Sequence, residues 1–108
     1  MNSKIKDDSV DFLFKAVLSL KNIDECYNFF EDLCTVQEIK AMSQRLTVAH
    51  MLSTKQVYSD IVAQTGASTA TISRVNRSLN YGCDGYELVF NRLDKKTKEK
   101  NANGKKDK

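Results

Sequence analysis

Apolar residues recur at helical spacing through most of the chain, and the first two stretches of this kind lie near the amino terminus. The first runs from about Asp8 to Lys21, and its apolar positions are Val10, Phe12, Leu13, Phe14, Ala16, Val17, Leu18 and Leu20. The second runs from about Ile23 to Cys34, and its apolar face consists of Ile23, Cys26, Tyr27, Phe30 and Leu33. Residues three and four positions apart share one face of a helix, so the pattern predicts two amphipathic helices.

These two helices carry more apolar surface than one small chain covers by itself. Burying a large apolar side chain contributes roughly 1.5 to 3 kcal/mol, so several left in water would be unfavourable. A second copy of the chain would cover them. We therefore predict a homodimer built largely from the first helices.

A capping signature marks the start of a third helix. Thr35 and Glu38 form the T-x-x-E pattern, in which hydroxyl and carboxylate each accept a hydrogen bond from a backbone amide at the helix start. The helix is predicted to run to about Leu52. Its apolar face is made by Ile39, Met42, Leu46 and Ala49.

The same kind of signature occurs twice more. Ser53 with Gln56 predicts that the next helix begins within the four residues after Ser53. Asp84 with Glu87 follows a run containing two glycines and predicts a last helix over roughly Gly85 to Lys95. These two signals divide the second half of the chain into its helical segments.

The stretch from Tyr58 to Leu79, YSDIVAQTGASTATISRVNRSL, has the pattern of two short helices joined by a tight turn. Its first helix has a mostly apolar face, made by Ile61, Val62 and Thr65. Gly66 follows where a left-handed residue can end that helix. Ser68 then stands where its hydroxyl can cap the free amides of the next helix. The pattern predicts a helix-turn-helix over residues 54–79.

The second helix of this pair has two distinct sides. The inward side is apolar and consists of Ile72, Val75 and Leu79; the outward side consists of Ala70, Ser73, Arg74 and Arg77. Small outward residues allow close approach to a groove floor, and arginines can reach base edges or phosphates. We favour DNA recognition over the alternative, a helical hairpin whose polar side is only solvated.

Composition places these elements in one small all-α domain. The chain has 108 residues, 41% of them hydrophobic, no proline and four glycines. We predict a single helical domain over residues 1–98, with a dimerisation core at 8–52 and 85–95. A disordered, lysine-rich tail is predicted over residues 99–108. The apolar runs are too short to span a bilayer and no cleavable leader is evident, so a cytoplasmic location is expected.

Positive charge is concentrated at the carboxyl end. Residues 91–108 carry eight Lys or Arg against three acids, a net +5, whereas the other ninety residues carry nine against eleven, a net −2. Elsewhere, positive potential would come locally from Lys55, Arg74 and Arg77. The basic segment suits phosphate contact, and it also suits solubility alone; both interpretations stay open.

Neither a metal site nor catalytic chemistry is indicated. Cys26, Cys34 and Cys83 lack C-x-x-C spacing and His50 is the only histidine, so neither zinc nor another cofactor is expected. Reduced thiols on an apolar helix face are typical of core packing. No glycine-rich phosphate loop and no nucleophile with a spaced base is present, so the chain is not expected to be an enzyme.

Two segments carry a resemblance to a known family: AMSQR, from Ala41 to Arg45, and GASTATISRVNRSL, from Gly66 to Leu79. Over about residues 10–93 the chain resembles the Trp repressor family, and more closely its YerC/YecD-type branch. The resemblance implies a six-helix, intertwined homodimer whose first three helices and last helix form a shared core. It also implies that the two helix-turn-helix units read successive major grooves of double-stranded DNA.

The resemblance further implies an effector pocket. In the repressor that names the family, tryptophan binds between core and reading head, and the matching positions here are Arg45, Arg74 and Ser78. A glycine at the position of Val75 lets the indole lie flat, and a valine adds three carbons there. Tryptophan is therefore not expected to be the effector, while binding of another small molecule stays open.

The two arginines also have simpler interpretations. Each could pair with a carboxylate such as Glu38 or Asp60 on a solvated face, where a pair contributes roughly 0 to 1 kcal/mol. For Arg45 this alternative and the pocket role weigh equally. For Arg74 we favour a third option, contact with a phosphate or base.

The family's operator-contacting positions map onto Ser59, Thr69, Ala70 and Ser73, and Ser59 replaces a cationic residue. The complete set of predicted DNA-contacting residues is Ser59, Ser68, Thr69, Ala70, Ser73, Arg74 and Arg77. They predict a dimeric regulator of transcription, a repressor, that binds a near-palindromic site. The alternative is a protein-interaction module of the same fold that docks a polymerase subunit or another regulator.

Overall fold

The computed structural model describes residues 4–106, with side chains over residues 4–97. Its regular structure consists of six helices: α1 Asp8–Leu18, α2 Ile23–Leu33, α3 Val36–Ser53, α4 Tyr58–Thr65, α5 Thr69–Tyr81 and α6 Gly85–Lys106. No strand occurs among the described residues, so the predicted all-α class is confirmed. None of these helices combines the length and the apolar composition that a membrane crossing requires.

The chain divides into two compact units within α3. The amino-terminal unit is Met1–Lys40 and the carboxy-terminal unit is Ala41–Lys108. The prediction of one helical domain over residues 1–98 stays a prediction, as does the assignment of a dimerisation core within it. The two units differ in the interactions that stabilise their helices.

Side-chain caps begin both helices at the start of the amino-terminal unit. The Asp7 carboxylate accepts a hydrogen bond of 2.8 Å from the amide of Val10 at the start of α1. The Asn22 side chain accepts one of 2.9 Å from the amide of Glu25 at the start of α2. Amides in the first turn of a helix have no partner within the helix, so each cap fixes where its helix begins.

The capping box predicted before α3 is confirmed. The Glu38 amide donates to the Thr35 hydroxyl at 3.1 Å, and the Thr35 amide donates to the Glu38 carboxylate at 2.8 Å. These bonds favour the charged form of the carboxyl group. The Thr35 amide and then its hydroxyl hold the pKa of Glu38 below its ordinary value.

The apolar faces of α1 and α2 are partly buried at best, and several of their large residues are exposed in the single chain. Neither helix contains a buried residue. The exposed fractions of Phe12, Leu18 and Ile23 are 75%, 83% and 74%. Cys26 and Cys34, predicted to pack in a core, are only half-buried. The amino-terminal unit thus has the excess apolar surface that the sequence predicts.

Over residues 4–97, every buried apolar residue belongs to the carboxy-terminal unit. They are Val48, Ala49 and Met51 of α3, Ile61 of α4, Ala67 of the turn, and Ile72 and Val75 of α5. Leu52, Tyr86 and Phe90 pack against this cluster. Because α3, α4, α5 and α6 all contribute to one core, the helix pair α4 and α5 is held against the end of α3 by packing.

The capping role predicted for Ser53 and Gln56 is wrong. Ser53 is the last residue of α3, and its hydroxyl donates to the carbonyl of His50 at 2.6 Å. α4 begins at Tyr58, after Val57, whose side chain makes no capping hydrogen bond. A serine hydroxyl can bond back to the carbonyls of its own helix or forward to the next amides, so the pattern fits both arrangements.

The prediction for the last helix needs two corrections. Asp84 has a left-handed backbone with φ 62°, whereas a capping residue is extended, so the predicted cap with Glu87 is not formed in the usual way. α6 starts at Gly85 as predicted but runs to Lys106 rather than ending near Lys95, while the disorder predicted for residues 99–108 stays a prediction. Extending a formed helix through a proline-free, lysine-rich segment is far easier than nucleating one. Residues 107 and 108, also predicted to be disordered, lie outside the described residues.

Candidate nucleic-acid interface

The turn between α4 and α5 is fixed by its backbone and by one threonine. Gly66 ends α4 in the left-handed conformation, φ 71°, and its amide donates to the carbonyl of Val62. The Thr65 hydroxyl donates to the carbonyl of Ile61 at 2.7 Å and accepts from the amide of Ala67 at 3.1 Å. Ala67 itself is buried in the core. These contacts confirm the predicted glycine stop and define the angle at which the chain enters α5.

Ser68 caps α5 as predicted. Its backbone is extended, and its hydroxyl oxygen accepts a hydrogen bond of 3.1 Å from the amide of Thr71. The hydroxyl also lies 3.0 Å from the hydroxyl of Thr71. The start of α5 is therefore set at Thr69, with the partial positive charge of a helix amino terminus at this end.

The two sides of α5 are separated as the helical period predicts. Ile72 and Val75 are 0% and 2% exposed, whereas Ser73, Arg74 and Arg77 are exposed. Because the buried pair anchors the helix to the core, rotation about the axis of α5 would expose apolar surface. The buried pair therefore fixes which residues lie on the exposed side of α5, namely small residues and two arginines.

The remaining predicted DNA-contacting residues are also at the surface. Ser68, Thr69 and Ala70 are exposed at the start of α5, and Ser59 is exposed in the first turn of α4. Thus all seven predicted residues are accessible to a macromolecule. Amide groups and hydroxyls near helix starts are common donors to phosphate oxygens.

Gln44 has a positioning contact that sequence reasoning missed. Its side-chain amide donates to the carbonyl of Thr65 at 3.1 Å, which ties α3 to the last turn of α4. Carbonyls in the last turn of a helix lack partners within the helix, so the contact satisfies an otherwise open acceptor. Helical periodicity places Gln44 on the polar flank of α3 but gives no signal for a partner 21 residues away.

The predicted effector-pocket residues come together in one cavity. Arg45, Arg74, Val75 and Ser78 line a cavity of about 370 Å³, together with Tyr86 of α6, which was not among the predicted pocket residues. Val75 is buried, as its helical position predicts, and forms part of the wall. Two guanidinium groups and two hydroxyls make this cavity suited to an anionic group.

Salt bridging does not account for Arg74. Within residues 41–97, where the side chains of the carboxy-terminal unit are described, Arg74 forms no ion pair with Asp60. The Glu38 carboxylate is held by the amide of Thr35. Arg74 is therefore available to the cavity and to the exposed side of α5.

Metal-binding geometry is not found over residues 4–97. Within that range no three side chains of His, Cys, Asp or Glu are grouped so that they could hold a metal ion. The ring of His50 lies edge-on to that of Phe90 at 5.1 Å, which is a packing contact.

Both the sequence and the structure are similar to those of Trp-repressor-like proteins. The sequence pattern of the family described as Trp repressor protein matches residues 8–94. The uncharacterized protein YerC of Bacillus subtilis (strain 168) is 53% identical over 90 residues, which are 83% of this chain and 86% of that protein.

Two solved structures share the fold. One is of a TrpR-like protein from Eubacterium eligens ATCC 27750, with 61% identity and a TM-score of 0.83 over 86% of this chain and 96% of that chain. The other, from Staphylococcus aureus, has 50% identity and a TM-score of 0.81 over 84% of this chain and 91% of that chain.

Proposed function

The chain belongs to the Trp repressor family of helix-turn-helix regulators, and from this premise we propose that it is a sequence-specific DNA-binding repressor of transcription. In this proposal α5 lies in the major groove of double-stranded DNA. Two copies of the chain bind a near-palindromic site whose half-sites are about one helical turn apart. Repression follows when the bound dimer occupies a promoter.

The two-sided character of α5 carries the proposal. Ile72 and Val75 are buried, so the helix has one orientation, and that orientation exposes Ser73, Arg74 and Arg77 together. A small side chain lets the helix approach the groove floor, and guanidinium groups donate to guanine edges or phosphates. A helix that was only solvated would not need this combination at a glycine-stopped, serine-capped turn.

The dimer in this proposal is supported by the amino-terminal unit. Phe12, Leu18 and Ile23 are large apolar residues that remain mostly exposed in the single chain. An isologous interface between two such surfaces would bury them and place two reading helices about a twofold axis. That symmetry matches a palindromic site.

Selection of bound sequences from a pool of random duplexes tests the proposal directly. We expect enrichment of a near-palindromic motif with half-sites roughly 10 base pairs apart. Enrichment of no motif by the full chain would contradict the proposal. Salt-insensitive, tight binding to a protein partner in the same preparation would then favour the protein-interaction module.

Arginine variants test whether α5 is the reading element. Arg77→Ala and Arg74→Ala should each weaken binding to the selected duplex by about tenfold or more, with a reduced salt slope. Lys40→Ala removes a positive charge at an exposed position outside the helix-turn-helix and serves as the control. Unchanged binding by both arginine variants would show that another surface contacts the DNA.

We also propose that L-tryptophan does not control this protein. The support is Val75, whose buried side chain forms part of the cavity wall beside Arg45 and Arg74. The chain contains no tryptophan, so the emission of added L-tryptophan can be followed without protein background. We expect no binding tighter than about millimolar, which corresponds to roughly 4 kcal/mol. Val75→Gly should improve binding if the valine side chain is the obstacle.

A further inference from the structure

The charge of the chain is divided sharply at the end of the family's matched region. Residues 8–94 carry eight Lys or Arg against eleven Asp or Glu, a net charge of −3. Residues 95–108 carry seven Lys against two acids, a net charge of +5. DNA is a dense polyanion, so a domain of net negative charge gains no long-range attraction toward it. The positive charge that would supply this attraction lies in the last fourteen residues.

These residues continue a helix that begins close to α5. Asn91 and Asp94 of α6 line one cleft of about 720 Å³ together with Asn76 and Asn80 of α5. Lys95 and Lys96 follow at once in the sequence and are exposed. α6 continues to Lys106, and at 1.5 Å per residue this end of the helix adds roughly 18 Å beyond Asp94. The lysine-rich segment therefore starts beside the carboxyl-terminal half of α5.

We propose that the lysine-rich end of α6, from Lys95 to Lys106, forms a second DNA-binding surface, which contacts backbone phosphates and reads no bases. This inference rests on the proposed function, because it assigns the segment to the same DNA that α5 reads. Lysine suits the role, since its ammonium group is a point charge that pairs with phosphate without the fixed geometry needed to distinguish bases. The segment raises affinity for any duplex, and α5 supplies the choice among sequences.

Helix stabilisation alone does not explain Lys95 and Lys96. Cations near a helix carboxyl terminus are favourable, but the effect is confined to about the last turn. Lys95 and Lys96 precede the end of α6 at Lys106 by about three turns. Their positive charge therefore has no helix-terminal role and is available to a polyanionic partner.

The test compares two full-length variants with the same change in net charge. One carries Lys95→Gln, Lys96→Gln and Lys98→Gln. The control carries Lys15→Gln, Lys21→Gln and Lys40→Gln, at exposed positions in the amino-terminal unit. Binding to the selected duplex and to a scrambled duplex is measured from about 50 to 200 mM salt, the range over which phosphate contacts change affinity most clearly. Far-UV circular dichroism monitors helix content in each protein.

The expected result is a weaker salt dependence in the first variant only. Its salt slope should fall by roughly 0.9 for each phosphate that the lysines no longer neutralise, with affinity at about 0.1 M salt weaker by about tenfold or more. The ratio of affinities for the selected and scrambled duplexes should stay within about twofold of the parent, because no base contact changes. A version with Lys95→Arg, Lys96→Arg and Lys98→Arg should bind as the parent does.

Each other outcome overturns a specific statement. If the parent binds the selected duplex and both glutamine variants share its salt slope, the second surface is refuted while the proposed function stands. If the first variant loses sequence preference along with affinity, the segment reads bases and the inference is wrong. Tighter lysine-dependent binding of the parent to phosphatidylserine vesicles than to duplex DNA would assign the segment to a membrane surface instead. A parent that binds no duplex refutes the proposed function itself, and the inference with it.

Discussion

The two units of the chain hold their helices by different means. In the amino-terminal unit, Asp7 and Asn22 cap α1 and α2 with side-chain hydrogen bonds, but neither helix buries a residue. In the carboxy-terminal unit, α4 follows Val57, which makes no capping bond, yet Ile61 is fully buried. Ser68 caps α5 in the carboxy-terminal unit as well, so that unit adds a core to its local hydrogen bonds, whereas α1 and α2 have only the local bonds.

This difference shows which part of the molecule is self-sufficient. Packing of Ile61, Ile72 and Val75 fixes the helix-turn-helix within a single chain. Caps define where α1 and α2 begin, but each contributes only about 1 kcal/mol. Large apolar residues of both helices stay exposed in the single chain. We infer that the carboxy-terminal unit by itself sets which residues lie on the exposed side of α5, and we propose that a second chain completes the packing of the amino-terminal unit.

The largest predicted effect tests the core of the carboxy-terminal unit. Ile72→Ala should lower the free energy of unfolding by about 2 to 5 kcal/mol, because it leaves a cavity at a fully buried position. Ser73→Ala, at the adjacent exposed position, should stay within about 0.5 kcal/mol of the parent. Urea denaturation followed by circular dichroism measures both. Equal costs at the two positions would show that burial of Ile72 does not hold α5 to the core.

The next effect concerns the exposed stripe of the amino-terminal unit. Phe14→Asp should raise the dimer dissociation constant about 100-fold or more, because it removes an aromatic side chain from the interface and places a charge there. Phe14→Leu keeps the position apolar and should change the constant less than about tenfold. Sedimentation equilibrium over a range of concentrations measures the constant. A parent chain that stays monomeric throughout would show that no second copy covers this surface.

Features that one local rule decides could be predicted from the sequence. The helical period separated Ile72 and Val75 from Ser73 and Arg74, and the structure buries the first two and exposes the others. The left-handed stop at Gly66 also follows from a rule about one residue. Rules of this kind need no knowledge of what lies elsewhere in the fold.

A feature could not be predicted from the sequence where two local rules compete, or where a residue's contact partner is distant in the chain. Ser53 can cap a following helix or bond back within its own, and only the packed end of α3 selects the second arrangement. Asp84 tolerates the left-handed region as well as the extended one. The contact of Gln44 with Thr65 and the place of Tyr86 in the cavity depend on tertiary packing, which no local pattern encodes.

A smaller effect on stability is expected from adding a cap to α4 in the carboxy-terminal unit and from removing the cap of α2 in the amino-terminal unit. Val57→Asn should raise the free energy of unfolding by about 0.5 to 1 kcal/mol, because Val57 has the extended backbone of a capping residue and asparagine could accept from the first amides of α4. Asn22→Ala should lower it by about 1 kcal/mol, since it removes the cap of α2. Thermal unfolding at fixed protein concentration compares the two. If the added cap gives no gain, the start of α4 is already satisfied by packing or water.

The smallest effect is a pH dependence of the amino-terminal unit. The Thr35 amide, and then the Thr35 hydroxyl, lower the pKa of the Glu38 carboxyl group from its ordinary value of 4.5. A group whose pKa falls on folding binds protons more weakly in the folded chain, so acid favours the unfolded chain. The stabilisation from this carboxylate is therefore complete above about pH 4.5 and is lost as the pH falls through the lowered value.

Glu38→Gln should flatten this acid response, because the amide side chain does not titrate. Glu31→Gln removes the same charge at an exposed position of α2 outside the capping box and should leave the response closer to that of the parent. Amide hydrogen exchange in the first turn of α3, followed as the pH is lowered from 6 toward 3 with correction for intrinsic exchange rates, measures the opening of the cap. Equal acid responses in the two variants would mean that the capping box does not govern the start of α3, and the claim that local hydrogen bonds define the amino-terminal unit would fail at its clearest example.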